Sequence, residues 1–207
     1  MIDAVYPFLG DDITGLKSSI ERLRKFGTGL GQVYVVGPKP IGGRGIVNIY
    51  VEDFREPAHN VMKKIKEAFD ATKDDKLLLM NDDFFLMKEV DLEHFPWYYC
   101  GELQKYQGGG NRWHVMCENT RQELIKLGYG TKNFGLHLPC VYEKDKFMRI
   151  YNRYWVQDDE FSARILYGNI FIGERGVPLE GDVKIWKGNL RDERGVGCCS
   201  TAREGTP

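Results

Sequence analysis

Short apolar segments alternate with amphipathic segments through the first ninety residues, and this alternation limits the folds open to the chain. The apolar segments cover residues 2–6, 32–36, 46–51 and 76–80, and each has the length of a β-strand. Strands that alternate with helices form mostly parallel sheets, because a parallel connection needs a crossover. The pattern predicts an α/β sandwich with a mostly parallel central sheet and helices on both faces.

The two amphipathic segments carry apolar residues at helical spacing. Leu16, Ile20 and Leu23 share one face of the first segment, which covers residues 16–26 and is ended by Gly27. The second segment opens at Glu56-Pro57, with proline at a favoured first-turn position. Its inward stripe is predicted to be Val61, Met62, Ile65, Ala68 and Phe69. Its outward residues are predicted to be Lys63, Lys64, Lys66 and Glu67.

Two more helices are predicted beyond residue 90, where the pattern is less regular. Thr120-Arg121-Gln122-Glu123 has the spacing of a capping box and predicts a helix that ends near Gly128. Residues 158–166 predict another helix. We expect one domain over residues 1–190, with a nucleotide-binding half (1–90) and a second half (91–190). A polar tail of residues 191–207 is expected to follow.

Composition narrows the class of protein. Of the 207 residues, 42% are hydrophobic, which is enough to bury a core and excludes a mostly disordered chain. The net charge of −1 argues against a bulk basic surface but leaves room for a local basic groove. No apolar run approaches the roughly 20 residues of a membrane helix, and the N-terminus has no signal-peptide pattern. We therefore expect a cytoplasmic protein without a membrane partner.

The five cysteines give little support to a zinc site. Their number is odd and the chain has no Cys-x-x-Cys pair, so reduced thiols are the plain interpretation. The adjacent Cys198 and Cys199 are assigned no function.

The segment Leu77-Leu78-Leu79-Met80-Asn81-Asp82-Asp83 is the most informative part of the sequence. Open α/β sheets bind ligands beyond the carboxyl ends of their strands, where these acidic residues are expected to lie. Two adjacent carboxylates repel each other unless a cation is near, and Mg²⁺ or Mn²⁺ commonly bridges carboxylates to phosphates. Asp83, with Asp82 beside it, is therefore predicted to hold a divalent ion on a nucleotide-sugar diphosphate. A solvated turn or a helix cap is the alternative.

Two further segments carry candidate functional residues. The glycine-rich loop of residues 39–45 offers backbone amides with Lys39 and Arg44 for phosphate contacts, although it does not match the P-loop pattern. Asp158 is a candidate general base for an acceptor hydroxyl. An acidic residue in the first turn of a helix also complements the helix dipole, so a structural role for Asp158 stays open.

Four short segments together resemble a known group of enzymes. They are residues 2–6, Val33-Tyr34-Val35-Val36-Gly37, Asn81-Asp82-Asp83-Phe84-Phe85 and His137-x-Pro139. They resemble small glycosyltransferases, many of them encoded by bacteriophages, and are similar to blocks of the Stealth family of capsule-sugar phosphotransferases. The resemblance spans roughly residues 1–170. It implies a glycosyltransferase A-like (Rossmann-like) fold, a nucleotide-sugar donor such as a UDP-sugar, and usually Mn²⁺ or Mg²⁺. The family has Asp-x-Asp where this chain has Asn81-x-Asp83.

The resemblance also implies roles for individual residues. A histidine before proline returns to the active site in these families, so His137 is expected to ligate the metal, contact the donor phosphate or act as a base; a structural role is the alternative. Tyr6 and Pro7 are expected to contact the donor base, with a place in the core as the alternative for Tyr6. Asn81 and Asp82 are expected to contact the donor beside Asp83. The other histidines, His59, His94 and His114, are expected to be structural.

The acceptor implied by the resemblance is a hydroxymethylated pyrimidine in double-stranded phage DNA. Basic and aromatic residues interleave between residues 105 and 153, as on nucleic-acid-binding surfaces, although ordinary solvated surfaces carry the same residue types. Arg112, Trp113 and Lys132 are the predicted acceptor contacts. Transfer to a glycan, transfer of sugar-1-phosphate and a non-catalytic binding module are the alternatives. A phage enzyme would act in the cytoplasm of its host.

Overall fold

The computed structural model describes residues 1–10, 12–106, 108, 111–185 and 195–201. The strands are β1 (Ile2–Pro7), β2 (Gly27–Thr28), β3 (Leu30–Gly37), β4 (Ile46–Tyr50), β5 (Lys76–Leu79), β6 (Phe84–Leu86), β7 (Val90–Asp91), β8 (Tyr98–Tyr99), β9 (Cys140–Glu143), β10 (Val177–Pro178), β11 (Lys184–Ile185) and β12 (Cys198–Thr201). The helices are α1 (Ile13–Phe26), α2 (Pro57–Ala71), α3 (Arg112–Lys126), α4 (Lys144–Tyr154) and α5 (Ala163–Tyr167). A π-helical turn (Gly168–Ile172) and a 3-10 turn (Gly173–Arg175) follow α5.

The central sheet has five strands in the order β4-β3-β1-β5-β9. Its first four strands run parallel, and β9 joins the edge antiparallel to β5. In the register, Val5 of β1 lies opposite Tyr34 on one side and Leu79 on the other. The predicted mostly parallel α/β sheet is confirmed, and the edge strand β9 comes from the second half of the chain.

Helices cover both faces of this sheet, as predicted. Side chains alternate across a strand, so Val5 and Leu79 pack on the face covered by α2, α4 and α5. Tyr6 and Leu78 pack on the opposite face, against Leu16 and its neighbours on α1. Two apolar clusters result, one on each side of the sheet.

The strand order creates a crevice at the carboxyl ends of the strands, between β1 and β5. The chain passes from β1 to β3 and β4 on one side, then returns to place β5 and β9 on the other. The connections that leave the carboxyl ends of the neighbouring strands β1 and β5 therefore run in opposite directions. A place where this happens is a topological switch point. Residues that follow Pro7 and Leu79 border this crevice. A finer assignment to the glycosyltransferase A type stays a prediction.

The end of the chain contributes a strand that the sequence analysis treated as polar tail. β12 pairs antiparallel with β6, with Cys198 opposite Leu86 and Ser200 opposite Phe84. Cys198 and Cys199 are both buried. The expected tail is therefore wrong for residues 198–201, whereas residues 191–194 and 202–207 lie outside the described residues.

Two of the predicted helices begin at other residues. α3 starts at Arg112, so Thr120 lies inside it and its hydroxyl donates to the Met116 carbonyl, 2.7 Å away, instead of capping. α5 starts at Ala163, and the predicted helix over residues 158–166 is wrong in its first half. None of the helices in the described ranges is long and apolar enough to span a bilayer.

Lys64 on α2 is buried, although the helical pattern predicted that it faces solvent. Its side chain is 1% exposed. The ammonium donates to the Phe8 carbonyl at 3.0 Å and lies 2.7 Å from a carboxylate oxygen of Asp53. The periodic pattern failed here because a buried charge with specific partners is tolerated on an inward face. This contact ties α2 to the residues that follow β1.

Candidate functional site

A cavity of about 360 Å³ opens at the carboxyl end of β5, where it is bordered by α2, α3 and α5. This volume is within the range of small-molecule sites. Most of the lining is apolar, including Leu79, Phe84 and Trp113. The lining residues with polar side chains are Asn81, Arg112, His137, Tyr142, Glu160, Ser162 and Arg164. A mostly apolar cavity with a few polar groups is the usual form of a ligand site.

A buried hydroxyl network holds the turn that follows β5. The Ser19 hydroxyl on α1 lies 2.5 Å from the Phe84 carbonyl and 3.3 Å from the Asn81 carbonyl. The Tyr6 hydroxyl reaches Ser19 at 3.1 Å. Tyr6 is fully buried, so its predicted contact with the donor base is corrected to a structural role. Burial also raises the pKa of Tyr6, which remains a neutral hydrogen-bond donor.

The acidic motif lies beside the cavity, with different surroundings for its members. Asn81 lines the cavity directly. Asp83 is half-buried, and its carboxylate accepts a hydrogen bond of 2.8 Å from the Ser200 hydroxyl on β12. Asp82, between them, is also half-buried. The motif thus borders the switch point at the end of β5, as the sequence predicted.

His137 reaches the same cavity and is held by a carboxylate. Its ring Nδ1 pairs with Asp182, and its backbone amide donates to the same side chain at 2.9 Å. Its Nε2 lies 3.4 Å from the Lys184 ammonium. A carboxylate on Nδ1 fixes the orientation and the tautomer of the imidazole. The structure therefore brings Asn81 and His137 together at one cavity, with Lys184 beside the ring.

The surroundings of Asp182 favour its ionised form. Burial alone would raise the pKa of this carboxyl, but hydrogen bonds from the His137 ring and from the amides of His137 and Val183 lower it below its usual value. Charge-assisted hydrogen bonds of this kind are stronger than neutral ones. Nothing in the sequence near His137 pointed to Asp182, because 45 residues separate the two.

The side chains predicted to share a divalent ion are engaged elsewhere. Asp83 accepts a hydrogen bond from Ser200, and the two ring nitrogens of His137 face Asp182 and Lys184. Across the described ranges, no group of three or more His, Cys, Asp or Glu side chains is placed to hold a metal ion. The present side-chain arrangement does not fit an ion shared by Asp83 and His137. Metal dependence stays a prediction from the resemblance.

The residues predicted to contact phosphates and the donor base lie at the end of β1 or near β4. The Lys39 ammonium donates to the Gly10 carbonyl at 3.3 Å, which places it beside the residues that follow β1. Gly10 has a φ of +97°, a conformation that favours glycine. Pro7 is half-buried at the crevice. The exposed Arg44 lies before β4, and its backbone carbonyl accepts a hydrogen bond from Arg24.

Two of the predicted acceptor contacts line the cavity. Trp113 is 46% exposed. The Arg112 guanidinium pairs with two carboxylates, those of Glu56 and Glu160. Arg164 adds a second guanidinium, stacked 5.6 Å from the Phe84 ring centroid. An aromatic surface and cationic groups therefore meet on the side of the cavity formed by α3 and α5.

Lys132 does not line this cavity. Its ammonium lies 2.8 Å from Glu174 and 4.8 Å from the centroid of the Tyr99 ring. Six of the nine lysine and arginine residues between positions 105 and 153 pair with carboxylates; these six are Arg112, Arg121, Lys126, Lys132, Lys146 and Arg153. Paired cations attract phosphates less strongly than unpaired ones, so the surface is less basic than the sequence suggested.

The structure places Asp158 outside the cavity and Glu160 inside it. The Asp158 side chain is fully exposed, 3.9 Å from Arg55. Glu160 is 12% exposed and lines the cavity. Ser162 is the N-cap of α5, accepting from the Ile165 amide. Identification of Ser162 as the N-cap would have placed residues 158–160 in a loop before the helix. Glu160 would then have been a candidate site residue beside Asp158.

The remaining histidines have structural surroundings, as expected. His59 is buried, with Nε2 at 2.9 Å from the Gln157 carbonyl, and burial lowers its pKa. His94 pairs with Asp91 at 2.8 Å on the surface. His114 stacks on the ring of Tyr106 at 5.5 Å.

No protein-family model matches the chain, and no curated protein matches it. The function of the site is therefore argued from its own residues and from their position in the fold.

Proposed function

We propose that this chain is a glycosyltransferase, which moves a sugar from a nucleotide-sugar donor to an acceptor hydroxyl. The observation that supports this proposal is the position of Asn81-Asp82-Asp83. The motif follows β5 at the switch point, and Asn81 lines a cavity of about 360 Å³. Ligands of open α/β sheets bind in this place, and nucleotides are common among them.

The donor would lie across the carboxyl ends of β1 and β5. Pro7 borders the nucleoside there, and Lys39 offers an ammonium beside the loop after β1. The carboxylates of Asp82 and Asp83 accept hydrogen bonds from ribose hydroxyls, since ionised carboxylates are acceptors only. A divalent ion, where bound, would neutralise diphosphate charge at this motif.

The leaving diphosphate would be stabilised near His137. Asp182 fixes the ring, and Lys184 places a positive charge 3.4 Å from Nε2. Preorganised donors and cations at the point where negative charge develops lower the barrier for departure. In this proposal Asp182 is a positioning residue, because it acts through His137.

A hydroxymethylated pyrimidine in duplex DNA is the acceptor that we propose to test first. A base that has been turned out of a duplex is a flat ring, which suits an apolar cavity with Trp113 in its wall. Phosphate contacts contribute less here, because most of the nearby cations are paired. We therefore expect binding to duplex DNA to depend only weakly on salt.

Substitution of Asp83 tests the donor site directly. Asp83→Asn should weaken the binding of UDP and lower donor turnover at least tenfold, measured by titration calorimetry and by release of UDP. Asp75→Asn is the matched control, because the exposed Asp75 precedes the same strand at its opposite end. Equal binding and turnover in the two variants would contradict the proposed donor site. Assays with Mn²⁺, Mg²⁺ and EDTA measure the dependence on an ion.

A further inference from the structure

We infer that Glu160 takes the proton from the acceptor hydroxyl, an inference that rests on the proposed glycosyl transfer. Among the described residues that line the cavity, Glu160 is the one carboxylate. Its side chain is 12% exposed, so most of it is withdrawn from bulk solvent. A general base must lie within hydrogen-bonding reach of the proton that it removes. A hydroxyl bound in this cavity meets that condition at Glu160.

The carboxylate of Glu160 is held at both oxygens. Oε2 accepts from the Ala58 amide at 3.1 Å, in the first turn of α2, and Oε1 accepts from Arg112. The backbone carbonyl of Glu160 accepts from the Asn119 side chain at 3.3 Å, which ties the segment to α3. Each carboxylate oxygen has two lone-pair directions, so each can accept a further hydrogen bond from a substrate. The Glu160 carboxylate is thus held in place and can still accept a hydrogen bond from a substrate.

Hydrogen-bonding chemistry on the two sides of the cavity separates the two substrates. Glu160 pairs with Arg112 at the start of α3 and accepts from the Ala58 amide in the first turn of α2. His137, by contrast, lies beside the Lys184 ammonium near β11. A carboxylate accepts a hydrogen bond from a hydroxyl, whereas an ionised diphosphate has no proton to donate to it and instead accepts from an ammonium. The acceptor hydroxyl therefore belongs at Glu160 and the leaving diphosphate at His137.

His137 is less suited to the role of base. Its Nδ1 is engaged by Asp182, and a proton added to Nε2 would lie beside the Lys184 ammonium. Two positive charges at 3.4 Å repel each other in a partly buried site. Proton transfer to Glu160 creates no pair of like charges, because it converts a carboxylate into a neutral acid.

The reaction follows as a single displacement. The acceptor oxygen forms a bond to the anomeric carbon as its proton passes to Glu160. The bond from that carbon to the phosphate oxygen breaks, and the electron pair leaves with the nucleoside diphosphate. Glu160 then releases the proton to solvent. Attack opposite the leaving group inverts the anomeric centre.

Donor hydrolysis tests Glu160 without knowledge of the acceptor, because water takes the place of the hydroxyl. The donor is whichever of UDP-glucose, UDP-galactose and UDP-N-acetylglucosamine the wild-type protein turns over fastest. Glu160→Gln should lower kcat by about 10²–10⁴-fold, the usual contribution of a general base. Calorimetry should show unchanged UDP binding, and proton NMR should show the inverted anomer as the first sugar released by the wild type.

Glu56→Gln is the matched control. Glu56 pairs with the same guanidinium but is not part of the cavity lining. It should change kcat by less than about threefold, whereas Glu160→Asp should retain part of the activity because it keeps a carboxylate. Near-wild-type turnover by folded Glu160→Gln, or a retained anomer, would overturn the assignment of Glu160 alone. A wild-type protein that turns over no donor would overturn the glycosyltransferase proposal with it.

Discussion

Removal of the Lys64 ammonium should destabilise the fold by about 3 kcal/mol. Lys64 is 1% exposed and pairs with Asp53, whose side chain is 24% exposed. Breaking a fully buried ion pair by removing one partner costs about 3–5 kcal/mol. Water can reach part of Asp53, which lowers that cost, whereas the Phe8 carbonyl loses a charged donor worth about 1.5–3 kcal/mol. We therefore place Lys64→Met near 3 kcal/mol, since methionine keeps most of the apolar stem.

Urea denaturation measures this cost. With a slope of about 2 kcal/mol per molar, the midpoint of Lys64→Met should fall by about 1.5 M. The exposed Lys17→Met on α1 is the control and should shift the midpoint by less than about 0.3 M, as expected for surface changes. In an Asp53→Asn background, Lys64→Met should cost at least about 1 kcal/mol less, because the pair is already broken. A cost below about 1 kcal/mol in the wild-type background would refute the reasoning.

Three further changes test other parts of the structure. Ser19→Ala should lower the free energy of unfolding by about 1–3 kcal/mol, because it leaves the buried Tyr6 hydroxyl and Phe84 carbonyl without this hydrogen-bond partner. The exposed Ser18→Ala should change the free energy of unfolding very little. The Arg121 guanidinium, with further hydrogen bonds, lowers the pKa of Glu118 from 4.5 to about 2. The ionised Glu118 carboxylate therefore stabilises the fold above about pH 4.5, and this contribution is lost as the pH falls towards 2. Glu118→Gln should accordingly make the urea midpoint less dependent on pH in this acid range. His137→Asn should lower donor turnover at least tenfold with little change in melting temperature, and a normal rate would remove His137 from the site.

The sheet and the position of the acidic motif could be predicted because both depend on local patterns. The apolar run before Asn81 has the length of a buried strand, and its alternation with helices fixes a parallel sheet. Strand β12 gave no comparable signal. It is only four residues long and pairs with β6 across more than a hundred residues.

The missed residues of the site depend on long-range contacts. Asp182 meets His137 across 45 residues, and no spacing rule connects them. Lys64 was misplaced because hydrophobic periodicity assigns every lysine to the surface, whereas Asp53 and the Phe8 carbonyl compensate its charge. Glu160 was missed because the helix was predicted to begin five residues too early, and the N-cap signal of Ser162 would have corrected this.

Mass spectrometry of the product tests the central claim most directly. Hydroxymethylated duplex DNA and, separately, a panel of glycans are incubated with the protein, Mn²⁺ and nucleotide sugars, and the digested products are weighed. We predict that one acceptor gains the mass of one sugar while nucleoside diphosphate is released. A gain of sugar plus phosphate would contradict glycosyl transfer in favour of sugar-1-phosphate transfer. No gain on any acceptor, with no donor consumed, would contradict enzymatic transfer altogether.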